Sequence, residues 1–245
     1  MTAVGVIPAR FEASRFPGKP LTRIAGLPMI QRVWEGARTA KSLRGVVVAT
    51  DDPRIEAACQ AFGAEVAMTR PDHPTGTDRI AEVAVATEDE VVVNIQGDEP
   101  LIEGFVIDAA VEALSDAPDA VMSTVVHAAE PQALSDPNRV KVVMDRRGDA
   151  LYFSRATIPY LREPEAAPVV YQHVGLYAYR RPFLLDFVSL ERTPAERAEA
   201  LEQLRAMEHG YRIRCAVVEG WRSVPVDVPA DVETVEQRLR EAERA

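Results

Sequence analysis

Residues 91–102 read VVVNIQGDEPLI, a run of apolar residues that ends in a polar turn. An apolar run without alternation is typical of a strand buried on both faces, as in a parallel sheet. Strands are predicted at Ala3–Pro8, Gly45–Thr50, Glu65–Met68 and Val91–Gln96, with amphipathic helices between and after them at Met29–Ala40, Pro53–Phe62, Thr77–Ala86 and Phe105–Leu114. This alternation predicts an α/β fold with a doubly wound, mostly parallel sheet. Ligands are expected beyond the carboxyl ends of its strands.

The second half of the chain has a different pattern. Its predicted strands lie at Val140–Asp145, Ala150–Phe153, Gln172–Arg180 and Ile213–Val218, and its helices at Pro182–Leu190, Pro194–His209 and from Ala230 onward. A hairpin at Arg146–Asp149 makes this region an antiparallel excursion of one domain, residues 1–245. Its apolar face favours a two-fold homodimer. The loop Leu161–Val169 is predicted to be mobile.

The charge, hydropathy and cysteine content of the chain argue against several classes of protein. The 245 residues carry a net charge of −10, which argues against a nucleic-acid binder. No apolar run approaches the roughly 20 residues of a membrane span, and the N-terminus lacks a signal-peptide layout. Cys59 and Cys215 form no CxxC pair, so a zinc site is not indicated and a reducing cytoplasm is expected. Of the 28 basic residues only three are lysine: Lys19, Lys41 and Lys141.

The loop after the first strand concentrates positive charge. Its sequence PARFEASRFPGKPL, residues 8–21, contains Arg10, Arg15 and Lys19. Three cations at the ligand edge of the sheet suit a polyphosphate, although neither a Walker A loop nor GxGxxG is present. The alternative is a solvated basic turn.

A second polar cluster follows the strand at residues 91–96. Asp98 emerges at the carboxyl end of that strand, where it is placed to bind Mg²⁺, although it could instead cap the next helix. Asp227 also follows a strand-like segment and is expected at the same edge. Two adjacent carboxylates repel each other, so a shared divalent cation, Mg²⁺ by its preference for oxygen ligands, is predicted.

Together the two motifs, VIPARFEASRFPGKPL and VNIQGDEPLI, resemble the sugar-activating cytidylyltransferases, in particular the family that acts on 3-deoxy-manno-octulosonate (Kdo). Further matching segments are VATDD at 48–52, TRPDHPTGTDRIAE at 69–82, NRVKVV at 138–143, ALYFSRATIPY at 150–160, HVGLYAYRRPFL at 173–184, LEQLR at 201–205 and VDVPADVETV at 226–235. The resemblance implies a nucleotidyltransferase, Rossmann-like fold. It also implies transfer of CMP from CTP to the anomeric 2-hydroxyl of Kdo with release of pyrophosphate, for lipopolysaccharide synthesis.

The resemblance also assigns roles to residues. Lys19, Arg10, Asp98 and Asp227 would be catalytic, with magnesium on Asp98 and Asp227. The nucleotide would contact Pro8, Ala9, Arg10, Arg15, Lys19, Thr77, Arg79, Gln96 and Asp98. The sugar acid would contact Arg155, His173, Tyr177, Glu202 and Gln203. The CTP-binding part would cover residues 1–130, the sugar-binding and dimerisation part 131–225, and a C-terminal helix 230–245.

The sequence departs from the family pattern at two places. The usual GVDTPEDL segment reads PVDVPADV here, and the family's Ser-Gly-Thr is Thr75-Gly76-Thr77. The alternatives are the same transfer to 8-amino-Kdo or a neuraminate, and a non-catalytic nucleotide-binding protein on this fold. Retention of Lys19, Asp98 and Asp227 weighs against the last of these.

Overall fold

The structure is a computed structural model that describes residues 1–12, 16–163 and 168–242. Its strands are β1 (Ala3–Ala9), β2 (Arg23–Ile24), β3 (Leu27–Pro28), β4 (Val46–Thr50), β5 (Glu65–Met68), β6 (Val91–Asn94), β7 (Met122–Ala128), β8 (Lys141–Met144), β9 (Ala150–Ser154), β10 (Tyr171–Arg180) and β11 (Ile213–Val217). Its helices are α1 (Met29–Ala37), α2 (Pro53–Ala61), α3 (Gly76–Val85), α4 (Gly104–Ser115), α5 (Arg181–Phe187), α6 (Pro194–Glu199), α7 (Gln203–Glu208) and α8 (Asp231–Ala242). None of the described helices is long and apolar enough to cross a bilayer.

The described chain divides into two compact units, which are residues 1–108 with 223–245, and residues 109–222. The first unit contains a parallel sheet in the order β6-β1-β4-β5. Its strands β1, β4 and β6 are almost entirely buried, as the continuous apolar runs predict. The predicted parallel α/β arrangement is therefore confirmed.

Capping side chains fix where two helices of the first unit, α2 and α3, begin. Thr75 and Asp78 form a reciprocal capping box at the start of α3, and the Asp52 side chain accepts a hydrogen bond from Arg54 N at the start of α2. Helix α2 follows the carboxyl end of β4 after two residues, and α3 follows that of β5 after the segment 69–75. Their first turns therefore face the edge of the sheet at which ligands are expected.

A small apolar cluster attaches the C-terminal segment to this unit. Ile24, Met29, Val226 and Val235 are fully buried together, with Phe16, Leu101, Val224, Val232 and Leu239 packed against them. Burying such side chains stabilises the arrangement by roughly 1.5–3 kcal/mol each. The cluster holds α8 and the segment before it, which carries Asp227, against the N-terminal part of the unit.

The second unit contains the predicted antiparallel excursion. Strand β10 pairs antiparallel with β7 and β8, β8 pairs antiparallel with β9, and β11 runs parallel to β7. The hairpin between β8 and β9 is closed by Asp145 N, which donates to Asp149 O at 2.8 Å, around Gly148 with φ 85°. Both the hairpin and the excursion are confirmed.

Strand β7 is not among the predicted strands, because it contains polar residues that the sequence pattern does not mark as buried. Ser123 and Thr124 are completely buried, yet their hydroxyls donate to backbone carbonyls: Ser123 Oγ to Ala110 O at 2.6 Å, and Thr124 Oγ1 to Leu176 O at 2.8 Å. Buried hydroxyls that are satisfied in this way cost little. The sequence pattern alone does not show which partners they find.

The single helix predicted at Pro194–His209 is wrong. Ala200 adopts the left-handed conformation, with φ 51°, so that α6 ends at Glu199 and α7 begins at Gln203. The Arg155 Nε group donates to the Glu199 carbonyl at 2.6 Å, which gives a partner to a carbonyl at the end of α6. The break places Glu202 and Gln203 at the start of a new helix.

Candidate active site

A cavity of about 360 Å³ lies in the first unit, at the carboxyl ends of β1 and β6 and the beginning of α3. Its lining includes most of the predicted nucleotide-binding residues: Pro8, Ala9, Arg10, Lys19, Arg79, Gln96 and Asp98. Thr77 is buried in the first turn of α3. Arg15 lies outside the described residues. The structure therefore brings the two motifs singled out in the sequence to one place.

The conformation of Gly18 positions Lys19. Gly18 has φ 72°, a left-handed conformation that favours glycine, and starts the 3-10 turn Lys19–Leu21. Lys19 Nζ lies 2.9 Å from Asp98 Oδ2, donates to Val226 O at 2.9 Å, and lies 4.0 Å from Asp227 Oδ1. Lys19 is largely shielded from solvent, since only 17 % of its side chain is accessible.

Asp98 and Asp227 converge on this one ammonium group although they are far apart in the chain. Val226 N donates to Asp98 O at 2.9 Å, and Asp227 N donates to Asp231 Oδ2 at 2.7 Å, which fixes the backbone next to both carboxylates. Among the described residues, no group of three or more His, Cys, Asp or Glu side chains forms a metal cluster. Mg²⁺ needs no such cluster, because it binds through one or two carboxylates together with substrate phosphates and water. Asp98 and Asp227, which already lie near the Lys19 ammonium, are therefore suitable ligands for Mg²⁺.

Arg10 and Gly97 shape the floor of the cavity. Arg10 Nη2 contacts His73 O at 3.4 Å, and the His73 ring in turn hydrogen-bonds to Glu82. That contact with His73 lowers the pKa of the Glu82 carboxyl. A side chain at Gly97 would place its Cβ 3.1 Å from Pro8 O, so glycine permits this close approach of two backbones.

The guanidinium of Arg79 is held rigidly at the cavity wall. Arg79 is 1 % exposed, its Nη2 lies 2.9 Å from Asp51 Oδ1, and its Nη1 donates to Thr69 Oγ1. Burial lowers its pKa, an effect that the negative charge of Asp51 opposes. Beside it, Gln96 Nε2 donates to Asn94 Oδ1 at 3.2 Å, which orients the Gln96 carboxamide.

The predicted sugar-binding residues all lie in the second unit. His173 and Tyr177 are neighbours on β10, with ring centroids 5.3 Å apart, and the His173 ring also meets Phe153 edge-on at 5.1 Å. Burial lowers the pKa of His173 to about 3. Burial also raises the pKa of Tyr177 well above its usual value, with smaller contributions from Tyr179 and Glu202. Glu202 lies 3.7 Å from Arg205 Nη2.

Two polar atoms of this set are buried without a hydrogen-bond partner among the described residues: His173 Nε2 and Gln203 Nε2. Such atoms are costly unless a ligand or water satisfies them. Arg155 differs, because its guanidinium donates to the carbonyls of Glu199, Pro137 and Ala200. In this structure its charge stabilises a loop.

Comparisons with known proteins agree with this geometry. Residues 4–213 match a family model described as cytidylyltransferase. The chain is 52 % identical to the 3-deoxy-manno-octulosonate cytidylyltransferase of Solibacter usitatus over 97 % of this chain and 94 % of the relative. It is also 52 % identical to that of Syntrophotalea carbinolica, over 98 % and 99 %. The chain belongs to the Kdo cytidylyltransferase family.

Solved structures support the same assignment. A CMP:2-keto-3-deoxy-manno-octonic acid synthetase complexed with CTP superposes with a TM-score of 0.93 at 44 % identity, over 99 % of this chain and 100 % of that one. A cytidylyltransferase from Leptospira borgpetersenii, at 18 % identity and a TM-score of 0.67, shares the fold over 98 % of this chain and 87 % of its own. The predicted family and fold of this cytidylyltransferase are confirmed.

The structure also identifies supporting residues of the cytidylyltransferase to which the sequence pattern assigns no role. Glu199 accepts hydrogen bonds from Ser154 Oγ at 2.6 Å and Arg155 N at 2.9 Å. The buried Lys141 Nζ donates to Arg155 O at 2.7 Å and Asp136 O at 2.9 Å. The sequence offers one indication of a role for Asp51, which is its place in the VATDD segment at the end of a strand. Glu199 had none, because its role depends on the break after α6.

Proposed function

We propose that this enzyme transfers CMP from CTP to the anomeric 2-hydroxyl of Kdo, giving CMP-Kdo and pyrophosphate as a step toward lipopolysaccharide. The observation that carries the proposal is the cavity of the first unit, which is lined by Arg10, Lys19 and Arg79 together with Asp98. A triphosphate needs concentrated positive charge, and this acidic chain supplies it there. Family membership agrees with this substrate pair.

The reaction is an in-line displacement at the α-phosphorus of CTP. The 2-hydroxyl oxygen of Kdo forms the new phosphorus–oxygen bond, the bond to the β-phosphate breaks, and the hydroxyl proton leaves to solvent. Lys19 and Arg10 neutralise the charge that develops on the departing pyrophosphate. Magnesium, held by Asp98 and Asp227, would supply charge neutralisation and lower the pKa of the hydroxyl.

Nucleobase selection is assigned to the rigid wall of the cavity. The Pro8 and Ala9 backbone, Arg79 and the oriented carboxamide of Gln96 offer fixed donors and acceptors. A fixed pattern discriminates bases because a mismatched base leaves buried polar groups unpaired. We infer selection of cytosine here.

Recognition of the sugar acid is assigned to the second unit. Neutral His173 and the carboxamide of Gln203 present buried nitrogen atoms that lack partners among the described residues. Tyr177 and Glu202 add a phenol and a carboxylate, which suit the hydroxyl groups of a sugar. Arg155 is proposed to meet the sugar carboxylate, which requires that it exchange at least one of its carbonyl partners.

We propose a homodimer, because the second unit exposes large apolar side chains. Leu151 on β9 is 59 % exposed, and Tyr160 is 88 % exposed. Light scattering is expected to give about twice the 26.9 kDa of one chain. A monomer at micromolar concentration would contradict the dimer. We also place the enzyme in the cytoplasm, which suits its two free, buried cysteines.

The proposal is tested by pyrophosphate release over a grid of nucleoside triphosphates and sugar acids. CTP with Kdo is expected to be the fastest pair. Faster turnover of 8-amino-Kdo or a neuraminate with CTP would move the assignment to that substrate. Binding of CTP without turnover of any acid would leave a nucleotide-binding protein. The Asp98→Asn variant controls for contaminating activity.

A further inference from the structure

The ammonium group of Lys19 lies against the two carboxylates that would hold a metal. Its Nζ atom lies 2.9 Å from Asp98 Oδ2, 2.9 Å from Val226 O and 4.0 Å from Asp227 Oδ1. One monovalent cation therefore offsets one of the two negative charges of the carboxylate pair, which we define as Asp98 and Asp227. The pair is held in place by the hydrogen bond from Val226 N to Asp98 O and does not need a metal to assemble.

A divalent cation would compete with the ammonium for Asp98 Oδ2. The ammonium and the metal would repel each other at a separation of about 4 Å, and Asp98 would have to exchange one partner for the other. Binding of a metal at the pair would therefore be favoured by the departure of Lys19. A lysine can move away, because its charge is compact and its stem is unbranched and flexible.

Lys19 also lines the cavity that is proposed to bind CTP. A triphosphate bound there carries more negative charge than the carboxylate pair and attracts the ammonium. We propose that the ammonium of Lys19 blocks metal binding at the carboxylate pair until a nucleoside triphosphate binds and attracts it. Divalent metal then binds the pair only after the nucleotide. This inference rests on the proposed function, because it requires CTP in that cavity.

Direct Mn²⁺ binding tests the inference without measuring turnover. Free Mn²⁺ is counted by its electron paramagnetic resonance signal in titrations of the wild type and of Lys19→Met, both without nucleotide. Removing a competing charge at this distance is expected to tighten Mn²⁺ binding by at least about tenfold. Adding α,β-methylene-CTP to the wild type is expected to create a Mn²⁺ site, beyond the one on the nucleotide, that Asp98→Asn abolishes.

Lys41→Met is the matched control, because it makes the same change of side chain and net charge at an exposed position. It is expected to bind Mn²⁺ as the wild type does. Equal Mn²⁺ affinity of the wild type and Lys19→Met without nucleotide would overturn the inference. So would tightened binding that survives in the double variant Lys19→Met/Asp98→Asn, since that metal would sit elsewhere. Pyrophosphate release by the wild type from CTP and Kdo tests the proposed function separately, whichever result the titrations give.

Discussion

The backbone N–H of Val226 donates a hydrogen bond of 2.9 Å to the carbonyl oxygen of Asp98. This one bond joins the segment before α8 to the loop after β6, 128 residues earlier in the chain. It places Asp227 next to Lys19, whose Nζ contacts both Asp98 and Val226 O. The position of the carboxylate pair is thus a property of the backbone, and side-chain substitutions there are expected to change chemistry more than architecture.

Asp98→Asn and Asp227→Asn are each expected to lower turnover by about 10²–10³-fold, because each removes one charge that would hold the metal. CTP affinity measured without metal should not weaken, since the backbone positions are kept and Lys19 remains available to the nucleotide. Steady-state kinetics with varied Mg²⁺, together with equilibrium binding of CTP in EDTA, measure both effects. Asp72→Asn, at a side chain that is 73 % exposed, is the control. A wild type that runs at full rate in excess EDTA would contradict the metal assignment.

Lys19→Ala is expected to reduce turnover by about 10²–10³-fold, as for loss of one preorganised charge. Because Lys19 also bridges Asp98 and Val226 O, the substitution should lower the free energy of unfolding by about 1–3 kcal/mol. Urea denaturation measures the second effect, with Lys41→Ala as the comparison. Turnover within a few-fold of the wild type would refute the role of Lys19 in the reaction.

Much of the first unit could be predicted from the sequence because its buried strands are continuous apolar runs and its helices α2 and α3 begin at side-chain caps. The residues that converge at the carboxyl edge follow from parallel topology, which brings Arg10, Lys19 and Asp98 to one side of the sheet. The placement of Asp227 could not be derived from pattern alone. It depends on a long-range backbone hydrogen bond and an apolar cluster around Val226 and Val235.

Two features of the second unit, strand β7 and the break after α6, could not be predicted for other reasons. Ser123 and Thr124 on β7 are polar but buried, and their carbonyl partners lie about 50 residues further along the chain or in α4. The break after α6 has no glycine or proline to mark it, because Ala200 takes the left-handed conformation itself. Local propensity is a weak guide where tertiary hydrogen bonds decide the conformation.

Asp51→Asn is expected to weaken CTP binding and to destabilise the fold by about 2–4 kcal/mol, because it leaves the buried guanidinium of Arg79 without its carboxylate. The KM for CTP should rise more than kcat falls, since Arg79 is assigned to binding. Kinetics and thermal unfolding of the same preparation separate the two effects. Asp72→Asn should change stability by less than about 0.5 kcal/mol, as surface substitutions do. An unchanged KM would remove Asp51 from the nucleotide site.

The stability of the fold is expected to depend on pH through His173. Burial lowers the pKa of His173 to about 3 in the folded protein, whereas an unfolded histidine titrates near about 6.5. Between these values the unfolded chain binds the extra proton, so stability is lost as pH falls below about 6.5. The contribution at pH 5 is roughly 2 kcal/mol.

His173→Phe keeps a ring against Phe153 and Tyr177 but removes the titrating group. Its free energy of unfolding should therefore fall less between pH 7.5 and pH 5 than that of the wild type, by roughly the same 2 kcal/mol. His209→Gln, at an exposed position, should retain the full loss. The Phe variant should also raise the KM for Kdo, because the sugar acid loses Nε2 as a partner. If the unfolding free energy of His173→Phe falls with acid as steeply as that of the wild type, another group carries the pH dependence.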